Sequence, residues 1–238
     1  MTIQLSPLAK QVPGVRNPKL GKIRSPWGLL LHTTGGGVTA LAKKKKQLPL
    51  DVAIRVYIGS QNGDNGYKWG GPGYVLDHDG TFHQLAPDNV LTHHCGGDDR
   101  AEYLDGSWIK LAAPAAVAAW HAQWGPRFKH PYELFPSKSP NNEYVGVEMI
   151  PCGDGFGEAM RPGLRFSKAQ HDACIDLAQE MAARHQWPRG WHRTPRLVGH
   201  EDVQLLNRMD KNGGWDPGQL RAKPYFDFEY VRAGIGCG

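Results

Sequence analysis

Two histidines in this sequence each close a short apolar run and each stand beside glycine. His32 ends Trp27-Gly28-Leu29-Leu30-Leu31 and leads into Thr33-Thr34-Gly35, and His200 ends Arg196-Leu197-Val198-Gly199. Imidazole nitrogen is a favoured donor for borderline cations such as zinc, which also accept carboxylate oxygen. Asp216, followed by Pro217 and Gly218, supplies a carboxylate. A two-histidine, one-carboxylate set leaves a tetrahedral position open for water, and an open position marks a catalytic metal rather than a structural one. Spacing alone is a weak signal, because the chain has 11 histidines and any one taken blind is more often a surface or hydrogen-bonded residue. A second carboxylate adds to it. In Tyr144-Val145-Gly146-Val147-Glu148-Met149-Ile150 the alternation puts Val145, Val147 and Met149 on one face and Glu148 on the other. An acid aimed that way can take a proton from water and return it to a leaving amine; its plainer reading is a strand carboxylate paired with an arginine.

The elements that position these residues are legible from pattern. Trp27 to Leu31 is too short and too uniformly apolar for a half-exposed strand, so it reads as a strand buried on both faces. The glycines after it stop the strand and leave His32 at its carboxyl end, facing a crevice. A helix is expected from Val38 to about Gln47, and the Gly- and Asn-rich stretch from Gly59 to Gly73 reads as a long loop. Tyr74-Val75-Leu76, the turn Asp77-His78-Asp79-Gly80 and Thr81 to Leu85 form a hairpin signal, since Asp-Gly supplies the positive φ of a tight turn. Ala112 to Trp124 reads as helix, and Pro126, Pro131, Pro136 and Pro140 keep the chain after it from forming any long regular element. Ser167-Lys168-Ala169-Gln170 has the form of a capping box and opens a helix with Cys174, Leu177, Ala178, Met181 and Ala182 on its apolar stripe, which leaves His171 on the helix surface. A last helix is expected around Phe226 to Arg232, and residues 1–25 read as an irregular arm lying on the domain.

The whole chain sets bounds. At 238 residues with 40% hydrophobic content it can bury one sizeable core, and two full domains are not expected. The net charge of +5 favours encounter with an anionic polymer, while the run Lys43 to Lys46 reads as a solvated helix face. No membrane span of ~18 apolar residues is present, and the N-terminus lacks a secretory pattern, so a soluble protein made in the cytoplasm without a signal peptide is expected. The cysteines Cys95, Cys152, Cys174 and Cys237 form no Cys-x-x-Cys pair, which disfavours a cysteine-rich zinc site. His-Glu-x-x-His is missing, so a helix-borne protease site is not supported, and without a recognised motif the basic balance does not support nucleic-acid binding.

In chain order stand His32-Thr-Thr-Gly, Asp79-Gly80-Thr81 with Gln84-Leu85 and Pro87, His94-Cys95-Gly96, Val145-Gly-Val-Glu148, Gly199-His200-Glu-Asp-Val and Asp216-Pro-Gly. That series resembles the zinc N-acetylmuramoyl-L-alanine amidases, which share a fold with the animal peptidoglycan recognition proteins, from about Trp27 to Val231. The resemblance implies an α/β fold: a single domain over 26–238, with a central mixed β-sheet flanked by α-helices and a helical and loop insertion around 98–142. It implies zinc held by His32, His200 and Asp216, and Glu148 as the acid/base. His94 matches the histidine of the family's Trp-His-Ala-Gly segment, which lines the substrate cleft; the neighbour His93 is the alternative, since a one-residue step flips the side chain in an extended segment.

The match departs in places. Many family members carry a lysine two positions before the metal-binding acid, where this chain has Gly214; the insertion from Leu205 to Trp215 offers Arg208 and Lys211 as replacement cations, and Lys211 is carried as a candidate catalytic residue. Tyr74 is a candidate for substrate binding, with core packing as its other reading, and Trp108, Trp120, Trp124 and Tyr132 either wall the cleft or pack the insertion. The implied partners are peptidoglycan or muropeptides, with an immunity protein if the chain is a toxin, and the implied place of action is the periplasm or cell wall after lysis or injection. A non-catalytic peptidoglycan-binding module and a zinc amidohydrolase for another amide are the competing readings.

Overall fold

Alternation along two central strands decides the layers. The computed structural model describes residues 5–12, 25–34, 41–62, 71–96, 100–137, 139–152, 165–207, 216–220 and 224–236. Its six-stranded sheet comprises β1 (Ala9–Gln11), β2 (Gly28–Thr33), β3 (Tyr74–Leu76), β4 (Phe82–Gln84), β5 (Tyr144–Met149) and β6 (Leu197–Gly199), in the order β1-β4-β3-β5-β2-β6. Only β3 and β4 run antiparallel among these pairs, joined by the expected turn with Gly80 at φ 84°, so the sheet is mixed. Parallel pairing on both sides buries both faces of β2, which is why its sequence reads as unbroken apolar residues up to His32.

On one face Leu29, Leu31, Tyr74, Leu76, Val145, Val147 and Met149 form a core with Cys174, Leu177, Ala178 and Met181 of the helix Lys168–Arg184 and with Val231 and Ile235 of the helix Phe228–Gly236. The Ser167–Gln170 capping box is made in full: the Gln170 amide donates to Ser167 Oγ at 3.0 Å and the Ser167 amide to Gln170 Oε1 at 2.9 Å. His171 departs from expectation. It is buried and stacked on Phe226, with Nδ1 2.7 Å from the Ser167 carbonyl and Nε2 accepting the Asp227 amide at 3.0 Å, because the C-terminal helix covers the side of Lys168–Arg184 that an isolated helix would expose.

The opposite face receives the 98–142 region. Short helices Arg100–Leu104, Trp108–Leu111 and Pro114–Gln123 bring Trp108, Trp120 and Trp124 into a second core with Leu30, Tyr144 and Val198. The Trp120 indole N–H donates to the Asp202 carbonyl at 2.9 Å and that of Trp124 to Asp202 Oδ1 at 2.8 Å, so the polar edges of these rings are satisfied inside the protein. The tryptophans pack the insertion, and Trp124 also lines a cavity with Arg127, His192 and Arg232.

Two local expectations change. The arm contributes β1 at the sheet edge, where the Ser6 amide donates to Gln84 Oε1 at 2.9 Å and the Val12 amide to the Gln84 carbonyl at 3.1 Å; a three-residue strand is too short to show a period. A helix also spans Pro49–Asn62, extending into the stretch read as loop. Residues 41–45 are helical as expected, with Lys43 to Lys46 exposed. No helix among the described residues is long and apolar enough to cross a membrane.

Candidate active site

His32 lies on the second face at the carboxyl end of β2, and its partner in register across to β5 is Glu148. On the other flank of β2, β6 ends at Gly199 and His200 opens the short helix His200–Val203. Gly199 has a steric reason: a Cβ there would lie 2.7 Å from Pro217 Cδ, so only glycine lets the Asp216-Pro217-Gly218 segment cross the end of β6. Glu201 fastens that segment, its amide donating to the Asp216 carbonyl at 3.0 Å and its carboxyl accepting the Leu220 amide at 2.9 Å. Burial pushes the Glu201 carboxyl well above the usual carboxylate range. The crossing puts Asp216 Oδ2 2.9 Å from His200 Nδ1 and 3.5 Å from His32 Nδ1, while Oδ1 accepts the Thr33 amide.

The partners fix the proton positions. His94 Nε2 lies 3.0 Å from the Tyr144 carbonyl, which can only accept, so this nitrogen carries the proton and Nδ1 is left as an acceptor. His32 Nε2 lies 2.9 Å from that Nδ1 and donates to it. His200 Nε2 faces Gln204 Oε1 at 2.7 Å. Both remaining Nδ1 atoms turn toward one carboxylate oxygen, so protons or a cation must sit between them and Asp216. Burial pushes the Asp216 carboxyl up, but hydrogen bonds from His200 and His32, with their charges, outweigh it and hold it far below its ordinary value. The His94 ring rests on β5 at Gly146, where a Cβ would lie 2.5 Å from His94 Cγ; His93 is exposed.

The structure adds a residue that sequence reasoning did not find. Tyr57, on the helix Pro49–Asn62, sets its hydroxyl against the buried Glu148 carboxylate. Burial, then the neighbouring charges of Glu148 and Asp216, push the phenol well above its ordinary value. It therefore stays protonated.

Residues 23–219 match the sequence model of the family described as N-acetylmuramoyl-L-alanine amidase. The chain belongs to that family. Among solved structures, a selenomethionine derivative of AmpD aligns over 99% of this chain and 99% of its own, with 14% identity and a TM-score of 0.51, a likeness of fold. The amidase LysC from Clostridium intestinale URNW aligns over 97% and 99%, with 12% identity and a TM-score of 0.44. No curated protein sequence matches the chain significantly.

In this amidase His32, His200, Asp216, Glu148 and His94 come together, drawn from positions far apart in the chain. Tyr74 does not join them. Its partner in register is Val147, so it faces the opposite core; it is fully buried, its hydroxyl donates to Asp88 and it accepts Gln84 Nε2 at 2.9 Å. The substrate-binding reading of Tyr74 is corrected to core packing, for the period-two reason that placed Glu148 on the other side. Lys211, Arg208 and Gly214 lie outside the described residues. Among the described residues Cys95, Cys152 and Cys174 form no disulfide.

Proposed function

We propose that this amidase is a zinc-dependent hydrolase that cuts peptidoglycan at the amide between the lactyl group of N-acetylmuramic acid and the first L-alanine of the stem peptide. The observation that carries the reading is the convergence of His32 Nδ1 and His200 Nδ1 on Asp216 Oδ2, with Glu148 in the adjoining register position. Two imidazole nitrogens and a carboxylate oxygen are a donor set that suits zinc. The outer partners fit as well: a metal-binding imidazole usually gives its other N–H to an acceptor, and His32 has His94 while His200 has Gln204. His32, His200 and Asp216 would hold the ion. When bound, zinc would acidify a water molecule and polarise the scissile carbonyl.

The chain's own residues supply the remaining work. Glu148, beside His32, accepts the proton of the attacking water and returns it to the leaving amine nitrogen. Tyr57, kept protonated, faces that carboxylate and limits its rotation. Thr33 fixes Asp216 through its amide, and His94 fixes the ring of His32. The net charge of +5 favours approach to an anionic wall polymer.

The test is a digest of purified peptidoglycan analysed by mass spectrometry, with elemental analysis of the same protein. The expected products are stem peptides with a free L-alanine amine and glycan with a free lactyl carboxyl, released by protein holding about one zinc per chain. Cleavage at another bond, or an active sample without metal, would overturn the proposal.

A further inference from the structure

Cys95 stands at the edge of this cluster without a part in the chemistry above. Its Sγ lies 3.5 Å from His94 Nδ1, and Sγ, one nitrogen of His32 and one nitrogen of His200 all lie within 4.8 Å of one another. In a tetrahedral zinc site with Zn–N of about 2.0 Å and Zn–S of about 2.3 Å, ligand atoms sit roughly 3.3–3.8 Å apart. Rotation about the single χ1 of cysteine moves Sγ by more than this difference.

The backbone that carries this sulfur is held more firmly than a surface loop would be. The amides of His94 and Cys95 both donate to Asn141 Oδ1, each at 2.8 Å, and Asn141 Nδ2 donates to the Cys95 carbonyl at 2.8 Å. Asn141 is itself buried and precedes β5 by only a few residues, so the sheet fixes the clamp and the clamp fixes Cys95. Two of these hydrogen bonds go to Cys95 rather than to His94. His94 Nδ1 already receives the proton of His32 Nε2, so the thiol is a competitor for that nitrogen. A thiolate, by contrast, is the strongest zinc donor among the side chains gathered here.

We infer that Cys95 is a fourth protein ligand to the metal, joining His32, His200 and Asp216 and occupying the position that hydrolysis needs open. The inference rests on the zinc reading of the site. A cage of four protein ligands is the arrangement of structural metals, while catalysis needs three and a water. The resting enzyme is therefore latent, and it becomes active when the sulfur swings away and water takes its place. Gain of metal affinity and loss of an open position come from the same atom.

Cobalt replaces zinc in the full-length protein and makes the sulfur visible, because a thiolate bound to cobalt(II) gives a near-ultraviolet charge-transfer absorption that imidazole and carboxylate do not. Wild type should bind one cobalt per chain and show that absorption. Cys95→Ala and Cys95→Ser should lose it, keep the visible cobalt bands, and bind the metal at least ~10-fold more weakly, whereas Cys152→Ala should keep it. Wild type should also protect Cys95 from iodoacetamide when loaded and expose it when stripped, read by peptide mass spectrometry without any substitution. If cobalt binds but the absorption is missing from wild type or survives in Cys95→Ala, or if loading leaves alkylation unchanged, Cys95 is not a ligand and the three-residue site stands. If wild type takes up no cobalt, or uptake survives removal of both His32 and His200, the zinc reading itself fails.

Discussion

The two faces of the β2–β5 pair are made from alternate residues of the same strands, yet they are built on different principles. Leu29, Leu31, Val145, Val147 and Met149 face a core closed by two helices, where any residue of suitable volume contributes through burial. Leu30, Tyr144 and Gly146 face the other way, and at the carboxyl ends that face turns polar at His32 and Glu148. There the side chains have specific partners: His32 is held by His94, His200 by Gln204 and Asp216 by Thr33, and Tyr57 faces Glu148. The first face tolerates local change at a cost in stability. The second keeps its geometry only as a set, and a single misplaced ring propagates to the proposed metal ligands.

The contrast between the faces is plainest when the polar one loses a ligand. His200→Ala should reduce bound metal and muropeptide release to background while leaving the fold by circular dichroism, since the helix it opens is tied by Asp202 and Glu201 independently. His192→Ala, in the 3-10 turn Trp191–Arg193 remote from the cluster, is the matched control and should keep both. Next in size is Glu148→Gln, which preserves shape and cannot accept the proton: turnover should fall about 10²–10⁴-fold with metal content and peptidoglycan pull-down retained. Loss of metal in Glu148→Gln would instead make Glu148 a ligand.

Gly146→Ala tests the propagation directly. The new Cβ would overlap the His94 ring and its Cβ, so His94 must shift and loosen its hold on His32 Nε2. Disturbing an outer partner of this kind typically costs about 10- to 100-fold in metal affinity or activity. Metal titration and turnover should both show it, although residue 146 touches no ligand directly. Smaller again is Tyr57→Phe, which removes the hydroxyl that faces the Glu148 carboxylate, at most about 1.5 kcal/mol or roughly tenfold in turnover, with metal affinity unchanged.

These residues also show what the sequence could reveal. The alternation in Tyr144 to Met149 reads directly because a half-polar strand has a fixed period, and the capping box at Ser167 reads because its partners are three residues apart. The histidines stood out through their position after apolar strands, whereas the face of Tyr74 follows from the β3–β5 register, which no local pattern encodes. Tyr57 was illegible. Its helix carries Val52, Ile54, Val56 and Ile58 at a period of two, which mimics a strand, and its link to Glu148 spans most of the sheet in sequence. Cys95 and Asn141 were hidden for a similar reason, since a clamp between residues so far apart leaves no local pattern. His171 was misread because helical spacing shows which side is apolar and not which later helix will cover the rest.

Leu177→Ala has the smallest expected effect on chemistry and sharpens the contrast most. Leu177 is 1% exposed on the helix Lys168–Arg184 and packs in the core of the first face, across the sheet from the ligand cluster. Removing three carbons from a closed core costs about 2–5 kcal/mol, which for a domain of this size lowers the melting temperature by about 5–15 °C. If the sheet isolates its two faces, turnover per folded molecule at 25 °C and zinc affinity should stay within about twofold of wild type, because a cavity relaxes locally and additivity holds for distant sites. Gly146→Ala then gives a different pattern, a large change in metal affinity together with a loss of stability from overpacking against His94. A Leu177→Ala protein that melts lower and also loses metal affinity as Gly146→Ala does would show that β2 and β5 transmit strain across their plane. The polar face would then depend on the volume of the apolar one, and the division of labour drawn from strand parity would be wrong.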